Sequence, residues 1–294
     1  MKNNKKRDAR ILRKKVFELQ DSPFDERDYN LAMAMPAAKV ITDFPLTYRA
    51  PNSCPILNQG NIGSCVAHAI ATAMSYGEYE AGKEKVHNFS RGFIYGNRGI
   101  IDWKGEGMYV RWALKQCHKE GDVLYSDFPY NLKYEEVKKL IDKNSKQLHE
   151  IAANYKIINY FRLYTPDEIK TALLNQGAVI FSIAVYSSFE SNVPLPTGND
   201  TYDGNHCMVI VGWDEDGWIF QNSWGKNWGE KGYGHLPYDY IIKECWGITI
   251  DPNLPEPQLK NWFVRVWNAI VAFVRGSWIQ IKQTIKKLFK KKEK

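Results

Sequence analysis

Cys65 closes the stretch Gln59-Gly60-Asn61-Ile62-Gly63-Ser64 and opens a run containing Val66, Ala67, Ala69, Ile70, Ala71, Ala73 and Met74. A helix that is apolar on almost every face is a buried one. Ser64 fits its N-cap and Gly82 its C-terminal stop, which puts the thiol in the first turn. There the unpaired N–H groups and the positive end of the helix dipole favour thiolate, the nucleophilic form. Cys65 is therefore expected to titrate well below the free-thiol value of about 8.5. That is chemistry for covalent catalysis. The helix alone fits an inert core cysteine equally well, and a second stretch has to decide.

That stretch is 205–233. Asn205-His206 opens the apolar run Cys207-Met208-Val209-Ile210-Val211, which reads as a buried strand. Asp214-Glu215-Asp216-Gly217 is a hairpin turn by its Asp-Gly pair. Trp218-Ile219-Phe220-Gln221 then returns to Asn222-Ser223-Trp224-Gly225. The hairpin brings His206 and Asn222 to the same open end of adjacent strands. An amide there can fix the imidazole tautomer and leave its other nitrogen to the thiol.

Taken in order, Gln59 to Cys65, His206 before its strand, and Asn222-Ser223-Trp224-Gly225-Lys226-Asn227-Trp228-Gly229 resemble the papain-like cysteine peptidases. The form is that of bacterial and phage-like members without a propeptide. The resemblance implies a nucleophile at Cys65, a general base at His206 and an orienting amide at Asn222. The oxyanion would be held by the Gln59 side chain and the Cys65 backbone N–H. Substrate contacts are implied at Gly105 and Gly107, where the family has a glycine-rich strand, although Glu106 interrupts the usual Gly-Gly pair. Asn205 and Trp224 complete the set, with Trp224 shielding the Asn222–His206 hydrogen bond from water. The implied fold is α+β and two-lobed, a helical lobe followed by an antiparallel β-barrel-like lobe with the active site between them. The implied substrate is a protein or peptide, and no cofactor is expected.

The elements that must position these residues follow from pattern. Residues 64–155 read as mostly helical: Ser90 caps a second helix, Gly107 to His118 forms a third, and Tyr134 to Leu148 a charged surface helix. From about 157 the period shortens. Ile157–Leu163 is a strand, Thr165-Pro166-Asp167-Glu168 caps a helix through Leu174, and Gly177–Val185 is a buried strand. This gives a peptidase domain over 21–251, with a helical lobe at about 60–155 and a β lobe at about 156–251. His68, three positions after Cys65, is set aside as a base because the base must approach from the facing lobe. No Cys/His set has zinc spacing, so no metal is expected.

The charge of +7 is concentrated at the ends. Residues 1–15 carry +7 and residues 255–294 carry +8, which leaves the body between them at −8. Residues 1–20 read as a solvated basic arm. The first 40 residues are too short for the inhibitory propeptide of secreted relatives, so no zymogen processing is expected. Five cysteines lie in no CxxC pair, and Ile62 stands where secreted relatives have a disulfide cysteine. With no signal peptide in view, this favours a reducing compartment, in the cytoplasm or a virion.

Residues 252–257 are a linker by composition. Beyond it, Trp262, Phe263, Val266, Trp267, Ile270, Phe273, Val274, Trp278 and Ile281 recur at three- and four-residue steps among Lys and Arg. Residues 258–294 therefore read as a basic amphipathic helix, too interrupted by charge to supply the roughly 20 apolar residues of a membrane span. An anionic membrane surface, with peripheral association, and a protein partner both fit residues 258–292. Nucleic acid fits less well, because phosphate needs the charge but not the aromatics. Two rival readings stay open: a papain-fold scaffold docking through its basic termini, and a bacterial or phage cell-wall peptide hydrolase.

Overall fold

A computed structural model describes residues 43–51, 54–80, 86–99 and 106–251, together with Phe17, Leu19–Pro23, Asp25, Asp28, Leu31 and Ile41. The expectations for the arm before Phe17, for Gly82 and Gly105, and for the linker and C-terminal helix lie outside these residues. All described residues fall in one compact unit, Met1–Leu254.

The helices of the first half are α1 (Cys65–Glu80), α2 (Arg91–Gly96), α3 (Val110–Lys119), α4 (Tyr134–Lys143) and α5 (Ser145–Ala152). Every residue of α1 from Cys65 to Glu78 is buried, as its all-round apolar pattern requires. Ser90 caps α2, accepting from Phe93 N at 3.2 Å. The single charged helix expected from Tyr134 to Leu148 is two, because the chain turns at Asn144, whose amide donates to Leu140 O at 2.9 Å. A short polar amide competing for backbone partners is a common helix interrupter.

In the second half, β2 (Ile157–Arg162) precedes α6 (Pro166–Gln176), whose capping box pairs Thr165 with Glu168 as read from sequence. Then follow β3 (Val179–Tyr186), β4 (Tyr202–Trp213), β5 (Gly217–Gln221), β6 (Tyr233–Pro237) and β7 (Ile242–Ile250). The sheet order is β2-β7-β3-β4-β5-β6, and the two-residue strand β1 (Tyr48–Arg49) adds to β4. Every pairing is antiparallel. The ladder stops at β2 and β6 without closing, so the barrel-like lobe is an open sheet.

β4 explains why its sequence is apolar without interruption. Cys207, Val209 and Val211 face the core that holds α1, whereas Met208, Ile210 and Trp213 face a second core with α6. A strand buried on both faces loses its polar alternation. The architecture is the α+β arrangement expected: α1 carries Cys65 on one side, and β4 carries His206 on the other.

Candidate active site

The loop that ends in Cys65 is stitched to the loop that carries Asn222. Gln59 N donates to Ser223 O at 2.9 Å, and Gly225 N donates to Leu57 O at 2.9 Å. The Gln59 side chain is fully buried. Its Oε1 accepts from Ser223 Oγ at 2.6 Å, and its Nε2 donates to Ile62 O at 2.9 Å. A primary amide has two N–H donors, so a second is left after the bond to Ile62 O. Gly63 allows the neighbouring loop to close in: a Cβ there would lie 3.1 Å from Gly107 N and 3.2 Å from Glu106 Cβ.

The histidine tautomer follows from donor arithmetic. Ser223 N can only donate, and it donates to Asn222 Oδ1 at 2.7 Å. That oxygen also lies 2.9 Å from His206 Nε2, which must therefore be the protonated nitrogen. In the neutral ring that leaves Nδ1 as the basic nitrogen. Trp224 stacks on the imidazole, with centroids 4.9 Å apart and planes at 25°, and both rings are buried. The structure brings together His206, Asn222 and Trp224, all named from the sequence, and adds Ser223, which the sequence reading passed over and which donates to both amides. The signal lay in the Asn222-Ser223-Trp224-Gly225 block.

His68 Nδ1 donates to the carbonyl of Ser64, the residue before the helix, at 2.8 Å.

Burial pushes the Cys65 thiol up to about 11, while the backbone N–H groups of Cys207, Val66 and Cys65 itself pull the other way. The expected depression is reversed, and magnitudes say why. A helix terminus contributes at most about 2 kcal/mol, roughly 1.5 pKa units. Full burial shifts a thiol by up to about 3–5 units. Cys65 is only 1% exposed, so desolvation wins.

What lies over the site is the chain's own N-terminal segment. The Phe17 ring stands edge-on to His206 at 5.8 Å and to Trp224 at 5.9 Å. Leu19 is buried, and Gln20 forms a parallel bridge with Tyr109. Asn205 Nδ2 lies 3.3 Å from both Leu19 O and Asp21 Oδ1. Phe17, Leu19 and Gln20, read as part of a solvated arm, are thus packed against the body.

The expected substrate contacts divide. Asn205 and Trp224 border this segment. The Gly107 N–H donates to Tyr95 OH at 3.1 Å, and its carbonyl accepts from Arg98. Gln20 bridges to Tyr109, two positions after Gly107.

Comparison with known proteins is consistent with this geometry. Residues 46–251 match the model of the papain family cysteine proteases. An uncharacterized peptidase C1-like protein of Acanthamoeba polyphaga mimivirus is 29% identical over 210 residues, covering 66% of this chain and 68% of that protein. A probable cysteine protease of Arabidopsis thaliana is 27% identical over 260 residues, covering 84% of this chain and 68% of its own. Among solved structures, xylellain, a cysteine protease from Xylella fastidiosa, superposes with a TM-score of 0.69 at 29% identity. That match covers 79% of this chain and 95% of xylellain. The chain belongs to the papain family of cysteine proteases, and it is a hydrolase.

Proposed function

We propose that this chain hydrolyses peptide bonds in protein or peptide substrates through Cys65, His206, Asn222 and Gln59. His206 Nδ1 takes the thiol proton, and the Cys65 sulfur attacks the amide carbonyl. The carbonyl oxygen gains the charge and is met by the remaining Gln59 Nε2–H and the Cys65 backbone N–H. His206 then protonates the leaving amine, and the acyl group stays on sulfur as a thioester. Water, activated by the same histidine, releases the acid and restores the thiol. Asn222 keeps the ring in the tautomer that makes Nδ1 the base.

One observation carries the reading: the hydrogen-bond chain from Ser223 N through Asn222 Oδ1 to His206 Nε2 leaves the ring one possible base nitrogen. No finding favours the scaffold or cell-wall readings. Docking of residues 258–292 on an anionic membrane or a protein partner, and a cytoplasmic or virion location, are proposals resting on composition alone.

The test is alkylation by iodoacetamide across pH, with peptide hydrolysis followed in the same samples. Hydrolysis and unmodified Cys65 are expected to fall together. In the full chain, alkylation should rise toward alkaline pH with its inflection above the ordinary thiol value, because burial holds the thiol at about 11. Hydrolysis that survives complete modification of Cys65 would sink the reading.

A further inference from the structure

The loop that carries Gln59 is held from both halves of the molecule. From the sheet, Ser223 O accepts from Gln59 N at 2.9 Å, and Ser223 Oγ donates to the Gln59 side chain at 2.6 Å. From the helical half, Asn131 Nδ2 donates to Gln59 O at 3.1 Å and to Asn58 O at 3.3 Å. Asn131 is a half-buried residue in the connection between α3 and α4. That connection is braced in turn. Phe128 is buried and its carbonyl accepts from Ser90 Oγ at 2.7 Å, while Tyr130 O lies so near Gly92 that a Cβ there would collide with it.

The two carbonyls that Asn131 meets have a special relation. Asn58 O belongs to the peptide unit before the Gln59 Cα, and Gln59 O to the unit after it. Each unit is planar, so their relative orientation is set by φ and ψ of Gln59 alone. One amide spanning both oxygens fixes those two angles, and with them the direction in which the Gln59 side chain leaves the backbone. The tip of that side chain is then held by Ser223 Oγ and Ile62 O. The turn has bonds of its own, Gly60 N to Asn58 Oδ1 at 3.0 Å and Ile62 N to Gln59 O at 3.3 Å. Gly60, however, sits at φ +62° and restrains the chain less than any other residue type would.

Resting on the peptidase reading above, the geometry points to Asn131 as a positioning residue for that reaction: its amide sets the Gln59 backbone so that the second Nε2–H meets the oxyanion. Its role is exercised through Gln59 and not on the substrate. An oxyanion donor works at about 2.7–3.1 Å from the charge, and a misplacement of about 1 Å can cost on the order of 10²-fold. Losing one of two holds displaces the donor by less, so the expected cost is about tenfold. It falls on kcat, because the charge appears only after substrate is bound.

The experiment measures kcat and KM on a fluorogenic peptide, iodoacetamide modification of Cys65 and a thermal melt. The chains compared are wild type, Asn131→Asp, Asn131→Ala and Asn131→Gln, with the first two replacements repeated in Gln59→Ala. Asn131→Asp keeps the side chain's size but has no N–H to donate when ionised. Both Asp and Ala variants are expected to lose about tenfold in kcat with KM little changed. Asn131→Gln, which keeps the amide, should lie between them and wild type. Alkylation should be equal in all, because displacement at the iodoacetamide carbon creates no oxyanion. In Gln59→Ala the same replacements should change kcat less than about twofold, since the group they act through is gone. If Asn131→Asp does not fold, Asn131→Ala carries the same comparison. Unchanged kcat, a loss of the same factor with and without Gln59, or a loss matched by slower alkylation overturns the positioning role alone. Wild type that hydrolyses no peptide overturns the peptidase reading, and the positioning role falls with it.

Discussion

Replacing Cys65 with alanine should lower kcat for peptide hydrolysis by about 10⁶-fold, leaving only what the oxyanion hole and binding supply. The size follows from the absence of a substitute in the described site. Cys207 is the neighbouring thiol, but it is fully buried on the face of β4 that packs against α1. Burial first, then the charges of Cys65, Glu244 and Cys245, raises it well above the ordinary thiol range. A residual activity within about a hundredfold of wild type would mean that another group attacks the carbonyl.

Replacing Gln59 with alanine should cost about 10²–10³ in kcat, equivalent to about 2.7–4 kcal/mol, with KM little changed. In the proposed mechanism its second N–H meets a charge that exists only in the tetrahedral intermediate, so ground-state binding would not use it. Iodoacetamide should still modify Cys65 in this variant, since the nucleophile and His206 are untouched. The loss of the Ser223 Oγ acceptor adds a structural cost, which a thermal melt separates from the catalytic one. Unchanged kcat would remove Gln59 from the oxyanion site.

The candidate site residues could be named from the sequence because chemistry restricts residue type. A thiol at a helix start, a histidine opening a strand and an amide after a hairpin can be read locally. Their supports were less so. Ser223 holds Gln59 from 164 positions away, and no period in the sequence records that pairing. β6 and β7 were not read as strands. In β7 the run Ile242-Lys243-Glu244-Cys245-Trp246-Gly247 mixes charge into a strand whose Glu244 is buried only because Arg162 and Trp246 Nε1 satisfy it. Expecting one helix from Tyr134 to Leu148 overlooked the competition of Asn144 for backbone. The N-terminal segment was misjudged for a related reason: the basic charge before it dominates composition, while Phe17 and Leu19 reveal their role only against Gly204 and Asn205. The thiol was misjudged because sequence shows a helix start but not the burial that outweighs it.

The most direct test of covalent catalysis at Cys65 is the intact mass of the full chain, quenched in acid within the first turnovers on an activated acyl ester. The account predicts one acyl group per chain, mapped by peptide digestion to Cys65, lost on further incubation and absent in Cys65→Ala. Turnover without an adduct, or an adduct on another residue that disappears at the rate of turnover, would contradict it.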